Sequence, residues 1–492
     1  MRLTATEIDI GTRNPTVLLN GADAEELGVH ALDRVHLAYD GRTTVGLVEV
    51  TDQLVPRGTI GVTARLAHVT GEVEVSAAPR PNAVAYIRKK LDDIELEPAE
   101  IAAIVRDIDA DRLSDVELGA YATGVYTNGL SRAETTALTE AMTEAGEVID
   151  WGEEPIADKH SIGGVAGNRV TPIIVAIVAA AGVKIPKTSS RAVTSPAGTA
   201  DTMAVFCDVE FTLDEVKDIV EETNGCFVWG GGVNLSPVDD KIIRAETPLS
   251  LDPPGQLIAS VLSKKKSAGS THVLIDLPYG EGAKVESLAE ARELAEDFRV
   301  VGEHIGLTIE CTITKGEQPI GRGIGPVLEA RDVLQVLQGA GPTELRLKAL
   351  RLADILLECC CLDADAASLL DSGEALATFR RIIAAQDGDP EVTLDDLQPG
   401  TETEVIRAER DGLVTHVDNR LVSDIARRAG APRDTGAGLS LHRRVDEEVT
   451  AGDPLFTIYA EQSTKLADAL ELARRVEAVR VRPAEDALVE RL

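Results

Sequence analysis

The sequence predicts a multidomain α/β protein with an N-terminal β-rich domain, a helical domain, a central mixed α/β sheet domain and a C-terminal α+β domain. Its 492 residues exceed what one hydrophobic core usually holds. Short runs that alternate apolar and polar residues, separated by turns, occupy both ends of the chain. Between them, strand-like and helix-like patterns alternate, which is typical of a partly parallel sheet covered by helices.

Turn and capping signals divide the chain in order. Residues 1–83 form the predicted β-rich domain, which ends in a proline-rich linker at residues 78–82. The helical domain covers residues 84–147, where Ser114 and Ser131 are each followed three positions later by glutamate, the signature of a helix N-terminal capping box. The C-terminal domain, residues 403–492, combines short β runs with one helix near residues 423–429.

The central domain, residues 148–402, contains a series of apolar runs of strand length. A continuous apolar segment at residues 172–183 is expected to be a buried helix, and it is too short to cross a bilayer. The predicted strands are residues 147–151, 184–187, 227–229, 273–277 and 307–313.

Composition limits the possible partners and the compartment. The 83 acidic and 49 basic residues give a net charge of −34, which repels nucleic acid and anionic membranes, so neither is an expected partner. The acidic residues are scattered, which favours adaptation to high salt, with simple solubility as the alternative. The six cysteines lack zinc-site or C-x-x-C spacing and the N-terminus lacks a secretory signal, so we expect free thiols, no metal and a cytoplasmic location.

A glycine-rich stretch at residues 158–171 is the first candidate site. It lies between a predicted strand and a predicted helix, where converging backbone N–H groups and the helix dipole favour an anion. Lys159 adds a positive charge, and Ser161 and Thr171 add hydroxyl donors. An ordinary strand-to-helix turn is the alternative. The pattern is neither a Walker loop nor a dinucleotide-binding fingerprint, so ATP and NAD are not expected.

A second polar stretch, residues 187–201, also follows a predicted strand and precedes a helix. Ligands of open α/β sheets bind at the carboxyl ends of strands, so the two stretches are expected at the same sheet edge. Together they could hold one phosphate from both sides, or two phosphates. A plain Ser/Thr turn is the alternative.

These motifs resemble the thymidine/pyrimidine-nucleoside phosphorylase family. The resemblance rests on Lys159-His160-Ser161 with the glycines that follow, on Ser189 and Arg191, and on residues 198–201, 117–130, 257–265 and 318–325. It covers residues 84–481 and implies that about residues 236–267 return to the helical domain. Within the family, the additional N-terminal domain and residues 190–195, 250–254 and 282–284 resemble the archaeal AMP phosphorylases.

The resemblance implies a set of site residues. Those implied to bind phosphate are Lys159, Ser161, Thr171, Ser189 and Thr199. Those implied to bind the nucleotide are Gly164, Ser190, Arg191, Ala192, Val193, Thr194, Ser195, Thr199, Ser260, Lys264 and Lys284. Asp252 is the implied proton donor to the base, with Lys159 and His160 as further catalytic residues.

The chemistry of N-glycosidic phosphorolysis requires such residues, because the phosphate must be aimed at an oxocarbenium-like carbon and the base must be protonated. Asp252 could instead be a helix cap before Pro253-Pro254, and His160 could be a supporting histidine. Lys284 could be a solvated loop charge, but the family has an apolar residue there in its bacterial nucleoside-specific members. A cation at that position suits a nucleotide 5′-phosphate.

The predicted function is phosphorolysis of nucleoside 5′-monophosphates: AMP and phosphate give adenine and ribose 1,5-bisphosphate, with CMP, UMP or GMP as possible further substrates. No cofactor is expected, and the family implies a homodimer or larger homo-oligomer. The alternatives are a nucleoside phosphorylase, a phosphoribosyltransferase that would require magnesium and a diphosphate sugar, and a non-catalytic nucleotide-binding scaffold. Assays of base release with paired nucleosides and nucleotides separate them.

The acidic surface makes a prediction about salt. At low ionic strength a net charge of −34 repels itself over a longer Debye length, so the fold should weaken. Potassium chloride raised from dilute buffer to molar concentration should increase the melting temperature measured by calorimetry. A melting temperature that does not change over this range would contradict an adaptation to salt.

Overall fold

The computed structural model describes residues 1–152, 154–192, 195–233 and 235–483. The chain folds into two compact units: Met1–Ala145 with Pro237–Ser260, and Gly146–Ser236 with Val261–Leu492. Within the described ranges, no helix is both long and apolar enough to cross a membrane. All six cysteines are free thiols.

The first unit begins with a closed six-stranded barrel, which confirms the β-rich prediction. Its strands follow the order β1-β5-β2-β4-β3-β6 around the barrel, and β6 closes it by antiparallel pairing with β1. Alternate apolar side chains such as Val35 and Leu37 point into the core because strand residues two apart share a face. The elements are β1 (Arg2–Glu7), β2 (Thr16–Leu19), α1 (Gly21–Leu27), β3 (Arg34–Tyr39), β4 (Arg42–Val50), β5 (Thr59–Val62), a 3₁₀ turn (Ala64–Leu66) and β6 (Gly71–Ala78).

Four helices follow in the same unit: α2 (Asn82–Leu91), α3 (Pro98–Asp109), α4 (Asp115–Asn128) and α5 (Arg132–Glu144). Both predicted capping boxes are confirmed. Ser114 Oγ accepts a hydrogen bond from the Glu117 N–H at 3.3 Å, and the Glu117 carboxylate accepts from the Ser114 N–H at 2.8 Å. Ser131 and Glu134 form the equivalent pair at 3.1 and 2.8 Å. Both helices therefore start where the sequence predicted.

Each capping glutamate also binds a buried cation of another element. Arg34 on β3, only 4% exposed, lies 2.5 Å from Glu117 and donates to the Arg112 carbonyl at 2.6 Å, so it connects the barrel to α4. Lys90 on α2 donates to both carboxylate oxygens of Glu134 at 2.9 Å. Because these charges are buried, removing one member of a pair leaves the charge of the other member uncompensated in the protein interior.

The second unit contains the α/β region, with α9 and the start of α10 contributed to the first unit. In chain order, the elements of this stretch, including α9 and the 3₁₀ turn of the first unit, are β7 (Ala157–Ser161), α6 (Val170–Ala180), β8 (Ile185–Ser189), α7 (Thr199–Met203), α8 (Leu213–Thr223), β9 (Gly225–Trp229), α9 (Pro237–Glu246), a 3₁₀ turn (Thr247–Leu249), α10 (Pro254–Ser267), β10 (His272–Tyr279), α11 (Leu288–His304), β11 (Thr308–Lys315), β12 (Gly323–Ile324), α12 (Pro326–Leu337), α13 (Thr343–Cys359), α14 (Ala366–Asp371) and α15 (Glu374–Ala385).

The strands β7 to β11 pair in parallel. One sheet has the order β11-β10-β7, the other pairs β8 with β9, and a parallel bridge between Ile156 and Lys184 connects the two. Helix α6 is buried throughout from Val170 to Ala179, as its continuous apolar sequence predicted. The carboxyl ends of β7 and β8 therefore lie at the same edge.

The predicted strand at residues 147–151 is wrong. This segment forms no regular secondary structure, and it contacts the end of α10 instead: the Ile149 N–H donates to the Ser267 carbonyl at 2.8 Å, and the Trp151 indole donates to the Ala268 carbonyl at 2.9 Å. The strand before the glycines is β7, which carries the charged residues that the sequence analysis assigned to the loop. Lys159 thus lies on a strand, where its side chain is directed into the protein.

Up to residue 483, the C-terminal region consists of two small antiparallel sheets and two helices: β13 (Glu402–Arg407), β14 (Gly412–Val417), α16 (Asn419–Arg428), β15 (Gly438–Leu441), β16 (Glu448–Val449), β17 (Pro454–Ala460), α17 (Ser463–Arg475) and β18 (Val479–Arg482). One sheet has the order β16-β14-β18, and the other is β12-β15-β17-β13. Because β12 comes from the α/β region, this second sheet ties the two regions of the unit together.

The buried pair Lys90–Glu134 predicts a measurable effect on stability. Lys90→Met leaves the Glu134 carboxylate buried without its cation, which should lower the unfolding free energy by about 3–5 kcal/mol. The matched control is Lys89→Met, which removes the more exposed pair with Glu100 and should cost about 0–1 kcal/mol. Denaturant unfolding in molar potassium chloride measures both. Equal effects of the two variants would show that the buried pair contributes no more than a surface pair.

Candidate active site

Strand β7 separates two groups of polar side chains. Successive strand residues point to opposite faces, so Lys159 and Ser161 share one face while Asp158 and His160 share the other. Ser161 ends the strand and His160 comes directly before Ser161, so these two lie at the carboxyl end of the parallel sheet, where α/β proteins bind their ligands.

On the first face, Lys159 is fully buried among hydroxyls. Its ammonium group donates to Ser161 Oγ, and a second, longer hydrogen bond of 3.4 Å reaches Thr171 Oγ1 at the start of α6. The sequence analysis assigned these three residues to the phosphate, and the structure brings them together. A buried lysine beside two hydroxyls and a helix N-terminus is suited to an anion.

A buried carboxylate, Asp276 on β10, lies behind this group. Its Oδ2 accepts from Ser161 Oγ at 2.7 Å, and its Oδ1 accepts from Thr314 Oγ1 at 2.6 Å. Lys348 on α13 pairs with Oδ2 at 2.9 Å, whereas Lys159 lies 3.9 Å from the same oxygen. Although burial raises it, the pKa of Asp276 stays below its ordinary value because Lys348 and Lys159 stabilise the charged form.

The charge of Lys159 is sensitive to pH near neutrality. Burial lowers the pKa of Lys159 to about 7, against the attraction of Asp276, and the positive charges of Lys348 and Arg169 lower it further. The ammonium form is therefore the main form below pH 7 and is lost as the pH rises through that value. An anion bound at this site would favour the charged form.

On the opposite face of β7, one carboxylate is shared by two buried lysines. Asp158 lies 2.8 Å from Lys265 of α10 and 3.4 Å from Lys187 of β8, and Lys187 also donates to the Lys159 carbonyl at 2.7 Å. Burial and then the charges of Lys187 and Lys265 depress the pKa of the neighbouring His160 well below its ordinary value. His160 is thus a neutral imidazole at pH 7, able to donate or accept a hydrogen bond.

The glycines after β7 are required by close backbone contacts. Gly164 has a φ of 83°, and a Cβ there would meet the Lys284 backbone nitrogen at 2.2 Å. Gly167 has a φ of 65° and abuts the Gly323 carbonyl. Only glycine combines these torsion angles with such an approach. The loop therefore lies directly against the segment that carries Lys284, as expected if both contact one substrate.

A C-terminal residue fixes the same loop. Asn419, at the start of α16, accepts a hydrogen bond from the Ala166 N–H at 3.0 Å and donates to the Gly316 carbonyl at 2.9 Å. The Ile320 N–H donates to the Ala166 carbonyl at 3.2 Å. The C-terminal region thus positions the glycine loop, a role that the sequence analysis did not predict.

Arg169 connects the two predicted loops. Its guanidinium group donates to Thr199 Oγ1 and to the Ala197 carbonyl, both at 3.0 Å, and pairs with the buried Glu329 at 2.6 Å. Thr199 is the first residue of α7, so this contact holds its hydroxyl at the same edge as Lys159 and Ser161. Ser189 ends β8 at that edge, where its hydroxyl donates to the Val228 carbonyl at 3.4 Å.

The loop between β8 and α7 is anchored by Asp201, whose Oδ2 accepts from the backbone N–H groups of Ala192 at 2.6 Å and Gly198 at 2.8 Å. Arg191 stacks over Trp229 at 5.2 Å and pairs with Glu210 at 2.8 Å. Ser190 and Ser195 are exposed. Val193 and Thr194, which the sequence analysis assigned to the nucleotide, lie outside the described residues.

Two assigned residues belong to the first unit. Asp252 is exposed shortly before α10, and Ser260 on α10 donates to Asp239 at 2.8 Å. Lys264, one turn further along the same helix, belongs to the second unit and is half-buried. The catalytic role of Asp252 stays a prediction.

Sequence reasoning missed several charged residues that support the site. Asp276 carried a usable signal, because a carboxylate inside an apolar strand is rarely buried without a cation. The sequence contained no signal for a role of Lys348 at the site, since this residue lies about 190 positions away from Lys159 on an ordinary amphipathic helix. The missed residues are Asp158, Arg169, Lys187, Lys265, Asp276, Glu329, Lys348 and Asn419.

Three family models match the chain in succession. Residues 84–146 match the helical bundle domain of a glycosyl transferase family, and residues 153–360 match the a/b domain of that family. Residues 413–479 match the C-terminal domain of pyrimidine nucleoside phosphorylases. The solved structure of anthranilate phosphoribosyltransferase from Thermus thermophilus superposes with a TM-score of 0.53 at 18% identity, covering 61% of this chain and 99% of that one, which shows a shared fold.

Similar full-length proteins agree on one family. The AMP phosphorylase of Natronomonas pharaonis is 61% identical over 499 residues and covers 100% of both chains. The AMP phosphorylases of Thermococcus kodakarensis and Pyrococcus furiosus are 46% and 45% identical, each covering 96% of both chains. With this identity across every domain, the chain belongs to the AMP phosphorylase family.

Proposed function

We propose that this chain is an enzyme that cleaves AMP with inorganic phosphate to give adenine and ribose 1,5-bisphosphate. The observation that carries the proposal is the buried Lys159 with Ser161 and Thr171 at the carboxyl edge of the sheet, in a chain that is 61% identical over its full length to an AMP phosphorylase. Such a site can bind and orient an inorganic phosphate, which is the attacking group in the phosphorolysis of AMP.

The reaction joins a phosphate oxygen to C1′ of the ribose while the bond from C1′ to N9 of adenine breaks. The electron pair of that bond goes to the adenine ring, which then takes up a proton. Lys159 binds the attacking phosphate through its charge, and the Thr171 hydroxyl and the glycine-loop N–H groups orient it. In this arrangement the Ser161 hydroxyl donates to Asp276, so it must rotate before it can donate to phosphate.

The departing base requires a proton donor, and we assign this role to Asp252. A carboxylic acid can donate only if it is held protonated, so closure of an apolar environment around Asp252 in the substrate complex is part of the proposal. His160 is a neutral imidazole because burial, and then the charges of Lys187 and Lys265, depress its pKa, and we assign it a hydrogen bond to the sugar or the base.

Lys284 is the proposed ligand of the nucleotide 5′-phosphate. Its backbone lies against Gly164, and its charge contributes to the field that depresses the pKa of His160, after burial and the charges of Lys187 and Lys265. A cation in this position can fix the far end of a nucleotide whose sugar lies over β7. Binding energy from that distant phosphate would then orient C1′ toward the attacking phosphate.

The remaining features of the proposal follow the family resemblance. Inorganic phosphate is a substrate, and we propose no metal or organic cofactor. We also propose a cytoplasmic homodimer or larger homo-oligomer, and activity on CMP, UMP or GMP beside AMP. Size-exclusion chromatography with light scattering measures the oligomer in high salt.

Two variants on two substrates test the nucleotide assignment. Lys284→Met should raise the Michaelis constant for AMP by about ten- to a hundredfold, the value of a charge-assisted contact, and leave any adenosine activity nearly unchanged. Asp252→Asn should lower turnover on both substrates, because it removes the proton and not the phosphate ligand. Chromatography of the released base, with and without inorganic phosphate, gives all four rates.

Lys217→Met on α8 is the matched control for the loss of one lysine charge, and it should leave the activity on both substrates unchanged. A Lys284→Met variant that loses adenosine and AMP activity equally would refute the 5′-phosphate contact. A wild-type enzyme that prefers adenosine or guanosine to its monophosphate would instead show that the chain is a nucleoside phosphorylase.

A further inference from the structure

The cluster of Lys159, Asp276 and Lys348 contains an uneven set of buried charges. One carboxylate, Asp276 on β10, lies between Lys159 of β7 and Lys348 of α13. Asp276 and Lys159 are fully buried, and the Lys348 side chain is 10% exposed. The two lysines and the carboxylate together carry one excess positive charge.

The distances show which lysine serves as the counter-ion. Lys348 Nζ is 2.9 Å from Asp276 Oδ2, in direct contact, whereas Lys159 Nζ is 3.9 Å away and donates to hydroxyls instead. Ser161 and Thr314 donate to the two carboxylate oxygens. Asp276 is therefore satisfied by partners other than Lys159.

The other charges near Lys159 are paired with groups of their own. Arg169 pairs with Glu329 at 2.6 Å, and Asp158 pairs with Lys187 and Lys265 on the opposite face of β7. Asp276 is thus the carboxylate that could neutralise the ammonium group of Lys159. Whether it does so depends on Lys348, which pairs with the same carboxylate.

We propose that Lys348 is a positioning residue which neutralises Asp276 and so leaves the positive charge of Lys159 available for the attacking phosphate. Without Lys348, Asp276 and Lys159 would form a neutral pair, and a phosphate anion would meet a site with no net charge. With Lys348 the site is positive before the anion arrives, which preorganises it for phosphate. This inference rests on the proposed function only in taking inorganic phosphate as the anion.

The first test is equilibrium binding of inorganic phosphate by calorimetry, without nucleotide, at pH 6 and constant potassium chloride. Lys348→Met should weaken binding by about tenfold or more, the value of one buried charge-assisted contact. Lys348→Arg, which keeps the charge, should recover most of it. The matched control is Lys465→Met, which removes the lysine of a lysine–aspartate pair with Asp434 in the C-terminal region and should change binding less than twofold.

A double variant separates charge balance from structural damage. Asp276→Asn alone removes the main attraction for the Lys159 charge and should also weaken phosphate binding. Asp276→Asn combined with Lys348→Met removes one charge of each sign, so the double variant should bind at least tenfold more tightly than the product of the two single losses predicts. Losses that multiply independently would overturn the proposal, as would unaltered binding by Lys348→Met.

The pH dependence of sulfate binding gives a readout that a purely structural role would not change. Sulfate keeps its charge between pH 5 and 9, so its affinity should follow the titration of Lys159, high below about pH 7 and lost above it. Because Lys348 lowers the pKa of Lys159, Lys348→Met and Lys348→Gln should move this midpoint upward even as binding weakens. An unchanged midpoint in folded variants would refute the inference. If AMP is not consumed but these patterns appear, the proposed function fails and the inference stands.

Discussion

The site depends on one constraint, the burial of the Asp276 carboxylate in the middle of a parallel sheet. A buried carboxylate must be surrounded by donors, and here two lysines and two hydroxyls from three other elements meet it. Its contacts therefore fix the relative positions of β7, β10, β11 and α13. The same contacts keep Lys159 buried but leave part of its positive charge uncompensated. This remaining charge can bind an anion.

The backbone around this cluster is fixed by packing that tolerates little change. Gly164 lies against the Lys284 backbone, and Asn419 of the C-terminal region holds Ala166 and Gly316 in place. The loops at the sheet edge are thus supported from behind by the C-terminal region. This explains physically why the α/β and C-terminal regions form one compact unit and are joined through β12.

Sequence reasoning predicted the elements that follow simple patterns and missed those that depend on distant partners. Apolar periodicity located α6 and the strands β8 to β11, and the Ser-x-x-Glu spacing located the starts of α4 and α5. It failed at β7, because a segment with aspartate, lysine and histidine is not expected to form a buried strand. Burial is possible here because Lys187, Lys265 and Asp276 compensate these charges, and those residues are distant in sequence. For the candidate site, local motifs predicted Lys159, Ser161 and Thr171, which the structure brings together, whereas Lys348 could be found only in three dimensions.

The identity of the nucleophile is the central claim, because the role proposed for the positive charge of Lys159 is to bind the phosphate that attacks the sugar. Reaction of AMP with inorganic phosphate labelled with ¹⁸O at every oxygen, followed by mass spectrometry of the sugar product, tests this directly. We expect one adenine to be released for each ribose bisphosphate formed, with all four labelled oxygens retained in the new phosphate ester, one of them as the bridge to C1′. A ribose monophosphate without label would show that water attacks instead, and would contradict the claim.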